Sequence, residues 1–337
     1  MRRRSWGGGG VPGGIGDTGD GGAGGTGGGG DGGSVVARKV PDTGQTTSYT
    51  DTFGEDSDYS INPPSYTDNG DGTITDNVTG LMWQKCLVGR NEDTTCSGTT
   101  TEYNWYEASG TAEATYNPGG ATNVCGSETT GNYTDWRLPD LKERESIANY
   151  QNISGGTINN TYFPSPAGTN WSSTAYAYNS SSAWFVNSGI GFVGAYDKTQ
   201  SFIYSVRCVR GEQAGQSFTD NGDGTVTDNV TTLMWQQEDD DTLHTWEEAI
   251  TYCEGLSFAS YTNWRLPNIK ELRSIVDDTV SNPSIDEIKF PNTNSSFYWS
   301  ATTYSNFFTS SAWVAYFDFS FTGYSSKSSS HYVRCVR

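Results

Sequence analysis

The chain carries YTDNGDGTITDNVTGLMWQ at residues 66–84 and nearly the same stretch, FTDNGDGTVTDNVTTLMWQ, at residues 218–236, with identity at 16 of 19 positions. A second pair follows in the same order. YTDWRLPDLKERESI at residues 133–147 returns as YTNWRLPNIKELRSI at residues 261–275. A repeat of well over a hundred residues is too long for one unit of a solenoid. The pattern therefore indicates two homologous domains.

The ends of the two domains follow from a third pair, because SVRCVR at residues 205–210 returns as YVRCVR at residues 332–337. We place repeat 1 at residues 62–210 and repeat 2 at residues 216–337. The segment between the DNGDG-containing stretch and the WRLP-containing stretch is about 24 residues longer in repeat 1 than in repeat 2. Residues 1–61 begin with a run that is mostly glycine, and such a segment buries too little apolar surface to offset its ordering entropy. We expect a disordered glycine-rich linker there.

The charge of the chain excludes several partners. Its 337 residues include 39 Asp plus Glu against 20 Lys plus Arg, for a formal net charge of -19. Phosphate binding needs clustered Lys and Arg, so we expect no nucleic-acid partner and no docking on anionic membranes. No stretch of 18 apolar residues is present, which predicts that no helix crosses a membrane.

Local signals predict an α+β fold in each repeat. Asn221 to Gly224 supply residues that tolerate positive φ, and they predict a β-hairpin. Capping boxes open helices after Thr245, Asn268 and Asp140, and those of repeat 2 are expected to run to about Cys253 and Val276. Further on, alternation predicts a strand with Trp313, Ala315, Phe317, Phe319 and Phe321 on one face. Val314, Tyr316, Asp318 and Ser320 then occupy the other face.

The six cysteines divide between the repeats. Cys125 of repeat 1 matches Cys253 of repeat 2, and Cys208 matches Cys335, so we predict one long disulfide in each repeat. Cys86 and Cys96 lie in the insertion of repeat 1 and are expected to pair with each other. An even number that divides in this way indicates an oxidising compartment.

The recurring motifs resemble the Lcl C-terminal-domain family, a bacterial family. They are DNGDGTVTDNVTTLMW at 220–235, the WEEA helix start at 246–249, NWRLPNIKEL at 263–272, WSST at 171–174 or WSAT at 299–302, and the terminal YVRCVR. The resemblance covers nearly all of residues 62–337. It implies two tandem C-type-lectin-like domains, export from the cell, and ligand binding by a long loop region.

The resemblance also extends to variable proteins of diversity-generating retroelements, in which the last stretch before the terminal strand is diversified. The corresponding residues 304–331 include nine Ser, five Phe and three Tyr but only one Val. Aromatic residues with Ser and Gly are typical of paratopes, whereas strand cores favour β-branched aliphatics. We predict that an exposed ligand-binding surface contains Tyr304, Phe307, Phe308, Tyr316, Asp318, Tyr324 and His331. For Phe317, Phe319 and Phe321 the alternative of a core-facing strand is favoured.

Metal binding and catalysis have less support. Asp220, Asn221, Asp223 and Asp228 could supply oxygen ligands to calcium, but the bidentate Glu of an EF-hand is absent, so we favour a tight turn and expect no cofactor. The chain also lacks the motifs of common hydrolases and nucleotide-binding enzymes, and we expect no enzyme. The recurring residues Trp83, Trp136, Trp235, Trp264, Arg137 and Arg265 are expected to form the core and its ion pairs.

These observations predict an extracellular or bacterial cell-surface protein that binds a protein or glycan ligand in the manner of an adhesin. It would also be a candidate target of a diversity-generating retroelement. The alternative is a structural subunit of an extracellular assembly, in which self-association replaces a dedicated ligand.

Overall fold

The computed structural model describes residues 37–151, 158–164, 168–199, 203–305 and 308–337. The glycine-rich part of the predicted linker, residues 1–36, lies outside the described residues. Within those residues, no helix is long and apolar enough to cross a membrane.

The described part of repeat 1 contains nine strands and two short α-helices. They are β1 Tyr66–Asp68, β2 Thr73–Asp76, β3 Met82–Gln84, β4 Glu102–Tyr103, α1 Trp105–Ser109, α2 Leu141–Ser146, β5 Thr169–Ala175, β6 Ser182–Asn187, β7 Phe192–Asp197, β8 Tyr204–Ser205 and β9 Val209–Arg210. The strands form a four-stranded sheet in the order β1-β2-β3-β9 and a five-stranded sheet in the order β4-β8-β5-β6-β7. Short 3-10 helices cover Asp56–Asp58, Pro118–Gly120, Cys125–Ser127 and Thr130–Asn132.

Repeat 2 has the same plan with fewer elements. They are β10 Phe218–Asp220, β11 Thr225–Asp228, β12 Met234–Gln236, α3 Trp246–Glu254, α4 Ile269–Ser274, β13 Phe297–Thr303, β14 Ser311–Tyr316 and β15 Phe321–Ser326. Two three-stranded sheets result, β10-β11-β12 and β13-β14-β15, and all of their strand pairs are antiparallel.

The predicted hairpin and helix starts are confirmed. In β10 and β11, Asp220 pairs with Val226, and Gly222 and Gly224 adopt φ values of 75° and 84° in the turn between the strands. Helix α4 begins with a capping box, in which Asn268 accepts from the Glu271 amide and the Glu271 carboxylate accepts from the Asn268 amide. The same box opens the other three α-helices.

The end of each repeat returns to its beginning. In repeat 1, Trp83 of β3 pairs with Val209 of β9, and in repeat 2 Trp235 forms the equivalent bridge to Val336. Disulfides Cys125–Cys208 and Cys253–Cys335 fasten these closing segments, and Cys86–Cys96 closes the insertion of repeat 1. The three disulfides predicted from the repeat are therefore present.

The recurring tryptophans lie in the core and the recurring arginines form ion pairs beside it, as predicted. Trp83, Trp136, Trp235 and Trp264 are all buried. Their neighbouring arginines form bidentate ion pairs in equivalent places: Arg137 with Glu143, at 2.6 and 2.7 Å, and Arg265 with Glu271, at 2.6 Å for both bonds.

One predicted strand is wrong. The alternating residues 313–321 do not form a continuous strand, because residues 317–320 make a turn that separates β14 from β15. Ser320 adopts a φ of 61° there, a conformation that an extended strand cannot contain. Phe317 is buried against Tyr298, whereas Phe319 and Phe321 are only partly buried.

The predicted linker is also wrong for its described part. Residues 37–61, which we call the strap, pack against both repeats. The Thr43 carbonyl accepts from the Tyr150 amide of repeat 1, and the Gln45 side chain accepts from the Thr303 amide of repeat 2, both at 2.8 Å. Asp56, on the 3-10 helix of the strap, is buried. Asp56 accepts from the Thr302 hydroxyl of repeat 2, and such hydrogen bonds to the repeats hold this polar segment in place.

The two repeats contact each other through equivalent residues. Lys142 Nζ of α2 donates to the Ser274 carbonyl of α4 at 3.1 Å, and Lys270 Nζ of α4 donates to the Ser146 carbonyl of α2 at 2.8 Å. Since each of these contacts is the counterpart of the other in the repeat, the interface has the reciprocal character of a two-fold dimer.

Candidate functional site

The seven residues of the predicted ligand-binding surface do not form one group. Phe307 lies outside the described residues. The others separate into two clusters in repeat 2. The Tyr324 cluster consists of Tyr304, Phe308 and Tyr324. The Tyr316 cluster consists of Phe297, Tyr316, Asp318, Phe319 and His331.

The Tyr324 cluster presents two exposed rings on a buried one. Tyr304 and Tyr324 stack in parallel with their ring centroids 4.1 Å apart, and the Phe308 ring lies 6.4 Å from that of Tyr324. Phe308 and Tyr324 are 54% and 52% exposed, but Tyr304 is only 5% exposed and packs edge-on against Trp313. The prediction that Tyr304 is exposed is therefore wrong, because its ring completes the core beneath Tyr324.

The Tyr316 cluster is a stacked pair with polar neighbours. Phe297 and Tyr316 are paired across β13 and β14, and their rings stack at 4.3 Å. The Tyr316 hydroxyl donates to the Asp318 carboxylate at 2.9 Å. Burial and, secondarily, that carboxylate raise the pKa of Tyr316, so its hydroxyl stays protonated and keeps its hydrogen bond to Asp318.

His331 forms the other end of this cluster. Its ring lies 5.4 Å from Phe297 and 4.6 Å from Trp299, and its Nε2 contacts the Ser325 hydroxyl at 2.7 Å. Burial lowers the pKa of His331, so the neutral imidazole predominates at neutral pH. Tyr204 occupies the equivalent place in repeat 1, where it packs on Trp171 at 4.7 Å.

The two clusters lie on opposite faces of the sheet. Tyr324 pairs with Trp313 across β14 and β15 and so shares its face. Tyr316 follows Trp313 by three positions in the same strand, and successive side chains of a strand point to opposite faces. The alternation of side chains within each strand can be predicted from the sequence. The turn at residues 317–320 interrupts this alternation, so the residues of β15 do not lie on the faces that an unbroken strand would give them. The structure therefore offers two small aromatic surfaces.

Two contributing residues were missed by the sequence analysis. Phe297 is 38% exposed and completes the Tyr316 cluster. Tyr178 of repeat 1 is 66% exposed, and its ring contacts Phe319 edge-on at 4.8 Å, which extends the same cluster towards repeat 1. Cross-strand pairing with Tyr316 would have identified Phe297, but no local signal connects Tyr178 with a residue more than a hundred positions away.

Repeat 1 lacks these surfaces at the equivalent positions. Thr169 and Asn187 form the cross-strand pair that corresponds to Phe297 and Tyr316. Ala195, paired with Trp184, corresponds to Tyr324. The buried Tyr304 does have a counterpart, because Tyr176 packs edge-on against Trp184 in repeat 1. A scaffold requirement would act on both repeats alike, so the aromatic side chains of Phe297, Tyr316 and Tyr324 are additions specific to repeat 2.

The residues proposed as calcium ligands are engaged in turns. The Asp223 carboxylate accepts from the amide and the hydroxyl of Thr225, at 3.1 and 2.6 Å. Asp220 accepts from the Gly222 amide, and Asp228 from the Val230 amide. Asn221 donates to the hydroxyls of Thr225 and Thr227. These bonds fit the tight turn that the sequence favours.

A cavity of about 120 Å³ lies between the two repeats. Helices α2 and α4 contribute to its walls, together with the strap and the segment that connects the repeats. Lys142 and Lys270 both line it. Burial lowers the pKa of both lysines, to about 8 for Lys270.

Comparison with protein families identifies both repeats. The model of the Lcl C-terminal domain matches residues 72–210 and residues 224–337. The strap lies outside both matched ranges. No curated protein matches the chain significantly.

Proposed function

The chain belongs to the Lcl C-terminal-domain family, with two tandem copies of the domain, and on that premise we propose an extracellular, adhesin-like protein that binds its ligand through repeat 2. The three disulfides support an oxidising environment outside the cytosol. The pairing of β3 with β9 is consistent with a C-type-lectin-like domain, in which the first and last strands meet. We place the protein at the bacterial cell surface or in the medium.

The exposed aromatic residues of repeat 2 carry this proposal. Phe297, Phe308 and Tyr324 are between 38% and 54% exposed. An aromatic side chain in water costs free energy that binding recovers, and tyrosine also offers a hydroxyl for recognition. The absence of counterparts at the equivalent positions of repeat 1 argues that a ligand, not the fold, accounts for them.

The ligand class we favour is a protein or a glycan. The net charge of -19 disfavours nucleic acid and other polyanions. If a diversity-generating retroelement acts on this chain, its variable positions should be exposed ones such as Phe308 and Tyr324, or the partly exposed Tyr316, and not the buried Tyr304 and Phe317. Finding no near-copy of codons 300–337 beside a reverse-transcriptase gene would remove this part of the proposal.

The test is a triple variant, in which Tyr316, Asp318 and Tyr324 are replaced by Ala in the full chain. Binding to an array of immobilised glycans, and to an array of surface proteins, should weaken about thirtyfold or more, because a few aromatic residues dominate contact energies. The matched control is Tyr196→Ala, which removes a 43% exposed tyrosine of repeat 1 and should leave binding unchanged.

Thermal melts of the same variants show whether these residues belong to the core. Exposed substitutions cost about 0.5 kcal/mol each, whereas core aromatic-to-Ala changes cost about 3 to 5 kcal/mol each. Loss of the cooperative transition would refute the surface assignment. Unchanged binding by a folded triple variant would refute the proposed function.

We also propose that binding needs no calcium, because the hairpin carboxylates already accept hydrogen bonds within their turns. Addition of a chelator should leave the melting temperature unchanged. A melting temperature that rises with millimolar calcium, as mass action requires for a bound ion, would contradict this.

The alternative function is structural, with the aromatic surfaces packing against other copies in an extracellular assembly. Size-exclusion chromatography distinguishes the two. Dispersed monomers at high concentration would exclude the structural alternative, and concentration-dependent oligomers that the triple variant abolishes would favour it.

A further inference from the structure

The cavity between the repeats is lined by equivalent residues from each of them. The equivalent pairs are Thr79 with Thr231, Lys142 with Lys270, and Ser146 with Ser274. The strap and the connecting segment also line the cavity, and each occurs once in the chain, so neither has a counterpart. The walls are therefore only partly symmetric, and the hydrogen bonds of the equivalent lysines differ.

The two lysines differ in how completely their donors are used. Lys270 Nζ donates to the Ser146 carbonyl at 2.8 Å and to the Asp42 carbonyl of the strap at 2.9 Å. Lys142 Nζ donates to the Ser274 carbonyl at 3.1 Å, and the described part of the chain gives it no second hydrogen bond. An ammonium group has three donor hydrogens. Lys142 therefore retains donor capacity beside the cavity.

Two further cavity-lining residues have unsatisfied polar atoms. Among the described residues, neither Arg38 Nε nor Ser274 Oγ has a hydrogen-bond partner, although both atoms are buried. A buried polar atom without a partner costs free energy, and such atoms are rare in native structures. Ser274 is also the residue whose backbone carbonyl accepts from Lys142, so both side chains belong to the same part of the cavity wall.

The carboxylates around the cavity are already used. Glu143 accepts from Arg38 and Arg137, and Glu145 lies against Arg273. Asp140 accepts from the Glu143 amide and from the Gln213 side chain, and Asp228 accepts from its own turn. Among the described residues of the wall, the groups that retain unused hydrogen-bonding capacity, Lys142, Arg38 Nε and the Ser274 hydroxyl, are all hydrogen-bond donors. A ligand that satisfies them must accept hydrogen bonds, and the positive charge of Lys142 favours an anion.

Size and polarity restrict the anion. Apolar side chains of Val40, Pro41, Leu81 and Val230 form part of the wall. Apolar cavities of about 150 Å³ hold benzene-sized ligands, so about 120 Å³ suits a molecule of slightly smaller size. The nearby carboxylates disfavour a doubly charged ligand. We propose that this cavity binds a small monocarboxylate of about three to five carbon atoms, with its carboxylate at Lys142 and Ser274 and its apolar body against Leu81 and Val230.

The test measures the melting temperature of the full chain, in a buffer without carboxylates, against increasing butyrate. We expect a saturable rise, since a ligand that binds only the folded state stabilises it by mass action. Butyramide, which has the same shape without the charge, should give an apparent affinity at least about tenfold weaker. Sodium sulfate at matched ionic strength measures the general salt effect.

Two variants locate the site. Lys142→Met should weaken butyrate binding about tenfold or more, whereas Lys85→Met, which removes a lysine paired with Asp68 away from the cavity, should not change it. Should Lys142→Met fail to fold, Ser274→Ala tests the same site and should weaken binding about threefold or more. Its matched control is Ser109→Ala, which removes a serine at the end of α1, away from the cavity, whose hydroxyl donates to the Tyr106 carbonyl.

Three outcomes would overturn the proposal. No saturable effect up to about 50 mM butyrate would mean that the cavity holds only water. An equal response to butyramide would show that the carboxylate is not recognised. Wild-type affinity in the folded Lys142 and Ser274 variants would place any bound butyrate elsewhere.

Discussion

At the scale of single residues, one position differs between the repeats in a way that the interface explains. Glu145 and Arg273 are equivalent residues, and they meet each other where α2 packs on α4, with Arg273 Nη2 3.3 Å from Glu145 Oε2. Arg273 also pairs with Asp278 at 2.8 Å and donates to the Ser320 carbonyl. Two identical domains would bring like charges together at this place, so the divergence to Glu and Arg makes the contact attractive.

The buried arginine should be critical for stability. Arg273→Met leaves Glu145 and Asp278 buried without their cation, and breaking such a pair costs about 3 to 5 kcal/mol. Burial already raises the pKa of Glu145 to about 7, so protonation should relieve part of the loss at pH 5. Denaturant unfolding at pH 8 and pH 5 measures both effects.

Arg210→Met is the control for this substitution. Arg210 pairs with Asp135 at 2.7 Å, but the two side chains are 24% and 60% exposed. An exposed pair contributes about 1 kcal/mol or less. We expect a much smaller loss of unfolding free energy for Arg210→Met than for Arg273→Met. Equal losses would contradict the interpretation that burial of the ion pair determines how much stability its removal costs.

At the scale of elements, the strap is the segment whose order the sequence did not reveal. Its polar side chains bond both within the strap and to residues far away in the chain. Asp56 accepts from the Thr43 hydroxyl and from the Thr302 hydroxyl of β13, both at 2.6 Å. The strap hydroxyl of Tyr59 donates to Glu254 of α3 at 2.6 Å. Composition alone places such polar residues in a flexible linker.

Elements fixed by local chemistry were predictable, and those fixed by distant contacts were not. A capping box such as Asn268 with Glu271 is complete within four residues, and a hairpin turn such as Asn221 to Gly224 is equally local. The turn at residues 317–320 carries no such signal, because its residues read as a continued alternation. The division of the aromatic residues into two clusters follows from that turn. Because the sequence did not reveal the turn, it did not predict the two clusters either.

Asp56 should make the strap sensitive to pH. Burial, reinforced by the nearby Asp42, raises the pKa of Asp56 from 3.8 to about 7. The folded state then binds more protons than the unfolded state between these values. Stability contributed by this group is therefore fully present below pH 4 and is lost as the pH rises towards 7.

Asp56→Asn removes this titration, so the variant should gain stability relative to the wild type as the pH rises from 4 to 8. Thermal melts across that range measure the difference. The control is Asp135→Asn, because pairing with Arg210 lowers the pKa of Asp135 and its contribution should change only below about pH 4. A stability difference for the Asp56 variant that does not vary with pH would contradict the assignment.

At the scale of the whole molecule, the two repeats form an internal pseudo-dimer. The reciprocal lysine contacts between α2 and α4 give it approximate two-fold symmetry. The symmetry is broken at two places. Glu145 and Arg273 are equivalent positions that meet at the two-fold axis with different side chains. Away from the axis, the strap, which occurs once, forms hydrogen bonds to Thr302 and Thr303 of repeat 2. The sequence predicted two homologous domains, but not that they face each other, because equivalence along a chain carries no information about packing.

This asymmetry predicts which halves associate. A fragment of residues 37–210 and a fragment of residues 216–337, expressed together with their disulfides formed, should assemble as a one-to-one pair. Homodimers of either fragment would oppose Glu145 with Glu145 or Arg273 with Arg273, which is unfavourable for buried charges. Arg273→Glu in the second fragment should weaken the pair about tenfold or more, whereas Arg337→Glu, which changes an arginine bonded to Asn263 outside this interface, should not. Size-exclusion chromatography with light scattering measures the stoichiometry, and stable homodimers formed in preference to the mixed pair would contradict the role of the Glu145–Arg273 contact.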